Sequence, residues 1–282
     1  MYNNSLTIDF IIYHLIRTYL SSIMENNDVR RLLMVEIKLE NMSWMEVKEA
    51  LENGFDTVII PIGSIEQHGP HLPLGTDTFI GEVLAVRIAE KLGKTLVAPA
   101  ITTGCSQHHM GFLGTLTFKP ETLMRIIRDI CTCLAKHGFK KIILLPTHGG
   151  NFAPVKTVIM ELALELKDVK IISPLELEEF IRVTNSIMAE YGVSFREAGS
   201  HAGATETSLM LAIRNELVRM DKVVEGYTGD YTTSQLYSHG IKAISEIGIL
   251  GDPRKANEEA GKRILEKLVE YYVEKIKREF KD

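Results

Sequence analysis

The sequence has little cysteine, little tryptophan and no excess of basic charge, and each shortage excludes a class of protein. Of its 282 residues three are Cys and one is Trp, and the formal net charge is −5. So few cysteines cannot form the disulfide framework of a small secreted protein, and they are typical of a reducing compartment. A negative net charge provides no basic surface for nucleic acid. We therefore expect a cytoplasmic protein that does not bind nucleic acid.

Long apolar runs are missing as well, which argues against a membrane partner. The most apolar stretch near the start, residues 8–24, is interrupted by His14 and Arg17 and is shorter than the ~20 apolar residues that a membrane span needs. It also lacks the basic region and cleavage site of a signal peptide. We predict that residues 1–33 form an N-terminal extension, helical or disordered, and that residues 34–282 form the main domain. A natural start at Met24 or Met34 is the alternative.

Short apolar runs alternate with longer segments of helical period. Four runs rich in β-branched residues, at 57–62, 95–98, 141–145 and 169–172, are typical of strands buried on both faces of a parallel sheet. Predicted helices lie at about 43–53, 78–92, 120–137, 151–166, 175–191, 206–215 and 255–280. This alternation predicts an α/β fold with three layers, α/β/α, around a mostly parallel central sheet.

The segment at 63–78, GSIEQHGPHLPLGTDT, has a composition that burial alone does not explain. Its prolines exclude a helix interior. Glu66, His68 and Asp77 are costly to bury unless they are paired, protonated or bound to metal. These side chains are the ligand types of zinc, manganese and iron. The segment therefore predicts a metal site.

A second polar loop, PTHGGN at 146–151, follows the predicted strand at 141–145, just as the first loop follows the strand at 57–62. Sites in open α/β sheets form at the carboxyl ends of strands, so the two loops can share one site. His148 would then join the three ligands of the first loop in binding one or two divalent metals. Such a metal lowers the pKa of water and makes hydroxide available near neutral pH. The alternative is a loop whose polar groups cap helices and each other.

Two more glycine-flanked loops carry candidate groups. In GSHAGATETS, at 199–208, His201 could move protons and Glu206 could orient a water or complete a metal shell. The alternative is an ordinary helix N-terminus with Glu in its first turn. In GCSQHHMGF, at 104–112, Ser106 or His108 could contact substrate, or the loop could be a simple connection. Cys105 is a weak candidate nucleophile.

These four motifs, in this order, resemble the creatininase (creatinine amidohydrolase) family over about residues 42–251. The resemblance implies a Rossmann-like α/β fold and a centre of two divalent metal ions per subunit, Fe²⁺ or Zn²⁺, with Mn²⁺ as a further option. It also implies hydrolysis of non-peptide C–N amide bonds in a small-molecule substrate. Members of the family are homo-oligomers, so a dimer to hexamer is expected.

Matching the motifs residue by residue implies a division of the metal ligands. Glu66, Asp77 and His148 would hold one metal, and His68 and Asp77 would hold the second, with Asp77 bridging the two. In creatininase a Glu two residues after the loop histidine also binds the second metal. That position is Gly150 in this sequence.

The loss of that ligand leaves alternatives open. Either Glu206 or water takes its place, or the second site is weaker. The same resemblance implies that His201 and Glu206 are catalytic. His201 would act as a proton shuttle, and Glu206 as an acid that contacts the metal or water.

The resemblance also bears on the substrate. Creatininase closes tryptophan-bearing elements over creatinine, whereas Trp44, the single Trp here, stands well before the motifs. The HGGN and GTLTF variants resemble the archaeal branch of the family, which includes an iron-dependent deformylase of riboflavin and F420 biosynthesis. We therefore predict release of formate from a formylamino-pyrimidine ribonucleotide. The alternatives are creatinine or another small cyclic amide as substrate, and a non-catalytic metal-binding scaffold.

Overall fold

A four-stranded parallel sheet forms the centre of the protein in a computed structural model that describes residues 36–174 and 176–281. The strands are β1 (Thr57–Ile62), β2 (Thr95–Val97), β3 (Lys141–Pro146) and β4 (Lys170–Ile172), in the spatial order β2–β1–β3–β4. β1 and β3 pair along six residues, from Thr57 opposite Lys141 to Ile62 opposite Pro146. The predicted extension before Met34 lies outside the described residues.

Helices cover this sheet in two packed groups. The α-helices of the described residues are α1 (Trp44–Glu52), α2 (Thr76–Leu92), α3 (Pro120–His137), α4 (Phe152–Glu165), α5 (Leu177–Glu190), α6 (Phe195–Ala198), α7 (Ala204–Arg214), α8 (Thr233–His239) and α9 (Glu258–Lys281). α9 packs against α2, α5 and α7, while α3 packs against α4. The predicted α/β fold with a parallel central sheet is therefore confirmed.

The helix boundaries follow local chemistry. α3 begins at Pro120, which needs no donor in the first turn, and ends before Gly138, whose φ of 110° suits a left-handed cap. α2 begins at Thr76, two residues earlier than the predicted start at 78, because the Thr76 hydroxyl and N–H both donate to the Pro73 carbonyl. Asp77 therefore lies in the first turn of α2 and not in the loop. The short helices α6 and α8 were not predicted, since few residues give no readable period.

The three cysteines are free thiols. Cys131 is buried and Cys133 is exposed, and both lie in α3, within the helix predicted at about 120–137. Burial raises the pKa of Cys131 to about 12, and it also raises the pKa of Cys105. A thiol with a raised pKa is a poor nucleophile at neutral pH, so the weak nucleophile candidate gains no support.

Asn151 ties together the loops that leave the carboxyl ends of the strands. Its side-chain N–H donates to the carbonyls of Ile62 and Gly63 at 3.2 and 2.9 Å. Its side-chain oxygen accepts a hydrogen bond from the Cys105 N–H at 2.9 Å. The loops after β1, β2 and β3 therefore meet at one edge of the sheet. In the described residues, no helix is both long and apolar enough to cross a membrane.

Candidate metal centre

The predicted metal ligands converge at this edge from three elements. Glu66 and His68 follow β1, Asp77 lies in the first turn of α2, and His148 follows β3. All four are buried, with at most 4% of the residue exposed. Within three groups of side chains, the possible ligand atoms lie no more than 4.8 Å from one another; two of the groups contain Asp77, and the third is Glu66, His68 and His201. The first group is Glu66, Asp77 and His148, and the second is His68, Asp77 and Glu206.

His148 presents a ring nitrogen to two carboxylates. Its Nδ1 lies 3.2 Å from Asp77 Oδ2 and 3.3 Å from Glu66 Oε2. Its Nε2 lies 3.2 Å from the Cys105 carbonyl, which can only accept, so the Nε2–H donates there. Although burial opposes charge, Glu66 and Asp77 raise the pKa of His148 well above its ordinary value. A cation is therefore favoured at Nδ1, and it is either a proton or a metal ion.

His68 likewise presents a ring nitrogen to two carboxylates, in the second group. Its Nδ1–H donates to the Glu66 carbonyl at 3.2 Å, which leaves Nε2 without a hydrogen-bond partner although it is buried. Nε2 lies 3.4 Å from Asp77 Oδ1 and 3.8 Å from Glu206 Oε2. Burial opposes the charge, but the carboxylates, Asp77 first, raise the pKa of His68 to about 10. An unpartnered nitrogen among carboxylates fits a metal-binding role.

Glu206 reaches the second group from the first turn of α7. Its Oε2 accepts a hydrogen bond from the Ala202 N–H, which fixes the carboxylate in the loop before the helix. Burial, followed by the charge of Asp77, raises the pKa of Glu206 to about 7, against the opposing effect of His68. Of the alternatives for the second group, this geometry favours Glu206 as the replacement ligand.

Gly150 cannot carry a side chain in this structure. A Cβ there would lie 2.1 Å from the Cys105 carbonyl oxygen and 2.8 Å from His148 Nε2. The carbonyl that accepts from His148 therefore occupies the space beside Gly150. The position at which the family resemblance implies a Glu ligand is therefore closed here, in agreement with a ligand supplied from α7.

His201 lies beside the ligand groups, as predicted. Its Nε2 is 2.7 Å from the Gln67 carbonyl and donates to it, which turns Nδ1 toward Glu66 Oε1 at 3.6 Å. The His201 ring centroid is 4.3 Å from that of His68. Burial and the charge of His68 lower the pKa of His201 well below its ordinary value. His201 is therefore neutral, with Nδ1 as its unprotonated nitrogen.

Sequence reasoning missed His109 and Gln67. His109 Nε2 lies 3.4 Å from Glu66 Oε2, and its Nδ1 is 3.2 Å from the side-chain nitrogen of Gln67. Gln67 also donates to the Gly248 carbonyl at 3.1 Å, and its main-chain carbonyl accepts from His201 Nε2. These two residues hold Glu66 and His201 in place. The paired histidines in a glycine-flanked loop were the available signal.

The two predicted substrate contacts, Ser106 and His108, have different surroundings. Ser106 is fully buried, and its hydroxyl lies 2.5 Å from Ser64 Oγ and 3.2 Å from His148 Nε2, so it supports a ligand and does not face substrate. His108 lines the cavity above the site. Burial and the charge of His148 lower the pKa of His108 to about 3.

The cavity that opens onto both ligand groups has a volume of about 200 Å³. Apolar and aromatic side chains form much of its wall, including Phe152, Phe180, Ile181, Leu236 and Tyr237. Among the residues that the structure describes, no Lys or Arg lines this cavity. It therefore suits a neutral, largely apolar group next to the reacting bond.

Comparison with known proteins agrees with this site. The family model described as creatinine amidohydrolase (Creatininase) matches residues 40–276. A mycofactocin precursor peptide peptidase from Mycolicibacterium smegmatis is 33% identical over 228 residues, which cover 78% of this chain and 84% of that protein. A creatinine amidohydrolase from Pseudomonas putida is 29% identical over 251 residues, 85% of this chain and 95% of that protein.

A deformylase is a more distant relative. The 2-amino-5-formylamino-6-ribosylaminopyrimidin-4(3H)-one 5′-monophosphate deformylase of Methanococcus maripaludis is 25% identical over 243 residues. The match covers 78% of this chain and 90% of that protein. The similarity is lower than to the peptidase or to creatinine amidohydrolase, so it does not establish the predicted substrate.

Solved creatininase structures match the fold, and the descriptions of some of them name metals. A crystal structure of creatinine amidohydrolase superposes with a TM-score of 0.77 at 27% identity, covering 88% of this chain and 99% of that chain. Other creatininase structures are described as a Zn–Zn type and an Mn form, and one is complexed with creatine. The family model, the relatives and the fold agree, so the chain belongs to the creatininase family of amidohydrolases.

Proposed function

We propose that the chain is a two-metal amidohydrolase that cleaves an amide bond next to a neutral, apolar group. The observation that carries this proposal is the pair of ligand groups that share Asp77 at the base of an apolar cavity. Glu66, Asp77 and His148 would hold one divalent ion, and His68, Asp77 and Glu206 the other. Divalent ions bound there polarise a carbonyl and lower the pKa of water.

The surrounding residues supply positioning and proton transfer. The Gln67 carbonyl fixes the tautomer of His201, so that its Nδ1 is free to take a proton. His201 would then give this proton to the leaving amine. Glu206 would serve as a ligand of the second group, held by the Ala202 N–H.

The cavity supports a peptide-like amide better than a phosphate-bearing one. A phosphate is usually bound by cations or by clustered N–H groups, and the described cavity wall contains no Lys or Arg. Its aromatic and aliphatic lining suits an apolar side chain. The similarity to a precursor peptide peptidase also supports a peptide substrate.

A substrate panel on the full-length protein, loaded separately with Zn²⁺, Mn²⁺ or anaerobic Fe²⁺, tests this proposal. We expect release of primary amine from an N-acyl dipeptide that ends in an aromatic residue. The measurement is amine-specific fluorescence against time, with a chelator-treated sample as control. Absence of hydrolysis for every amide and every metal would contradict the proposal.

Formate release from a formylamino-pyrimidine ribonucleotide is the second candidate function. The similarity to the Methanococcus maripaludis deformylase supports it. Formate produced from the nucleotide, but no amine from the dipeptide, would favour this candidate, and formate produced only with Fe²⁺ would favour iron as the metal. It would also require a phosphate contact from outside the described cavity wall.

Creatinine and a scaffold role have weaker support. The similarity to a creatinine amidohydrolase favours creatinine, but Trp44 is 75% exposed and does not line the cavity. Creatine formation in the same panel distinguishes this alternative. A scaffold gives no reason for His201 and Glu206 to face the ligand groups, as they do here. A cytoplasmic location and a homo-oligomer, dimer to hexamer, stay predictions.

A further inference from the structure

His108 differs from the other histidines of the site. It is 8% exposed and lines the cavity wall, at the centre of a short 3-10 segment, Gln107–His109. Within the described part of the chain, its ring makes no hydrogen bond. Hydrogen-bond partners are present for the other buried histidines, His68, His71, His109, His148 and His201.

The ring of His108 is nevertheless held in one orientation. It stacks on the His148 ring, with centroids 5.5 Å apart and planes 14° apart. The Tyr237 ring meets it edge-on at 4.9 Å, and the His109 ring at 4.3 Å. The backbone at Gly240 passes close to that of His108, since a Cβ at Gly240 would lie 3.1 Å from the His108 carbonyl oxygen. A buried polar ring is thus fixed without a protein partner.

We propose that His108 is a substrate-specificity residue whose free ring nitrogen hydrogen-bonds to a polar group beside the scissile amide. Its contact with His148 places that group next to the first ligand group. An imidazole can donate or accept, so the recognised group is a carbonyl or an N–H, as found in a peptide. The apolar wall at Phe180 and Leu236 takes the neighbouring side chain.

This inference rests on the proposed amidohydrolase function and narrows its substrate class. A site built to hydrogen-bond a substrate group discriminates against an analogue without that group, since the bound analogue covers the polar atom of the cavity wall and leaves it without a partner. Two hydroxamates provide this comparison. N-acetyl-phenylalanine hydroxamate carries a carbonyl and an N–H beside the metal-binding group, whereas acetohydroxamate carries neither.

The experiment measures the Kd of both hydroxamates by calorimetry on the full-length, metal-loaded chain. His108→Leu should raise the Kd of N-acetyl-phenylalanine hydroxamate about five- to tenfold, as expected for one lost hydrogen bond. Acetohydroxamate should bind unchanged. His108→Gln, which restores a donor and an acceptor, should recover most of the affinity. His239→Leu, an exposed histidine of α8 outside the cavity wall, is the matched control.

Metal content and thermal melting are measured for every variant. Equal affinities of wild type and His108→Leu for both probes would overturn the inference. An equal loss for both probes, or loss of metal in both His108 variants, would also overturn it, because His108 would then act by supporting His148. If wild type bound neither hydroxamate, the proposed metal-dependent function would fail, and this inference with it.

Discussion

Asp77 is the one residue that belongs to both ligand groups. Its Oδ2 lies 3.2 Å from His148 Nδ1 and its Oδ1 lies 3.4 Å from His68 Nε2. Asp77→Ala should therefore remove most bound metal and nearly all turnover, because each group loses a carboxylate. Metal analysis of the purified variant checks this, with Asp129→Ala on the exposed face of α3 as control. Full metal occupancy in Asp77→Ala would show that the ligand assignment is wrong.

His201 should separate catalysis from metal binding. Because its Nε2 is committed to the Gln67 carbonyl, only Nδ1 can exchange a proton with substrate. We expect His201→Ala to keep its metal and to lose turnover by about 10²–10⁴-fold, the usual contribution of a general acid or base. The measurement is kcat on the substrate that the panel identifies, together with metal content. A wild-type kcat in this variant would show that His201 is not the proton shuttle.

Glu206 decides whether the second group is complete. Glu206→Gln keeps the size of the side chain and removes its charge, so the second group should lose its metal while the first keeps its own. Titration of the metal-free variant with Mn²⁺, followed by electron paramagnetic resonance, counts the bound ions. Glu216→Gln, an exposed change beyond the end of α7, is the control. Unchanged stoichiometry in Glu206→Gln would favour water as the compensating ligand.

At the scale of elements, the loop after β3 is set by a close backbone approach. Gly150→Ala places a Cβ where the Cys105 carbonyl oxygen now lies, so that one of the two segments must move. Because this carbonyl fixes His148, we expect metal affinity to fall by about 10–100-fold, as for a lost supporting contact. Isothermal titration with Zn²⁺ measures the change, and Gly192→Ala, a left-handed surface glycine with open space, controls for backbone strain alone. Equal affinities in the two variants would contradict the role given to this carbonyl.

The strands and helices also show how much of the fold the sequence periodicity predicts. The predicted strands match β1 to β4 within one residue at each end, because short, nearly unbroken apolar runs bounded by polar residues favour buried strands. Prediction failed at α6 and α8, which contain too few residues to show a period. Yet α8 contributes Leu236 and Tyr237 to the cavity wall, so the substrate side of the site was the less predictable side.

For the molecule as a whole, the buried histidines should set the pH dependence of the metal-free protein. The pKa of His68 is raised to about 10, so its stabilising effect is full below the ordinary value of 6.5 and is lost as pH rises toward 10. His71 and His108, with pKa values lowered to about 4 and about 3, act in the opposite sense. They destabilise the folded protein as the pH falls below 6.5, because they are protonated more readily in the unfolded state. We therefore expect maximal stability of the metal-free protein near pH 6.5.

Metal binding should reverse the upper part of this profile. A metal ion would displace the proton from His68. The stabilising effect of the metal should therefore grow with pH, as that proton becomes easier to remove. Thermal melts with chelator and with Mn²⁺, at steps between about pH 6 and about pH 9, measure both curves. The gap between them should widen with pH. A chelated protein whose melting temperature rises over that range would contradict the assigned charges.

The sequence by itself determined the fold class, the family and the candidate ligand residues. Apolar periodicity dictates buried parallel strands, and Glu66, His68, Asp77 and His148 are too costly to bury without a cation. Only the tertiary structure gave the distances between these residues and added His109 to them. Glu206 comes from α7, while His109 and His108 come from the loop after β2. The distances between such segments, which are far apart in the chain, depend on packing that no local pattern encodes.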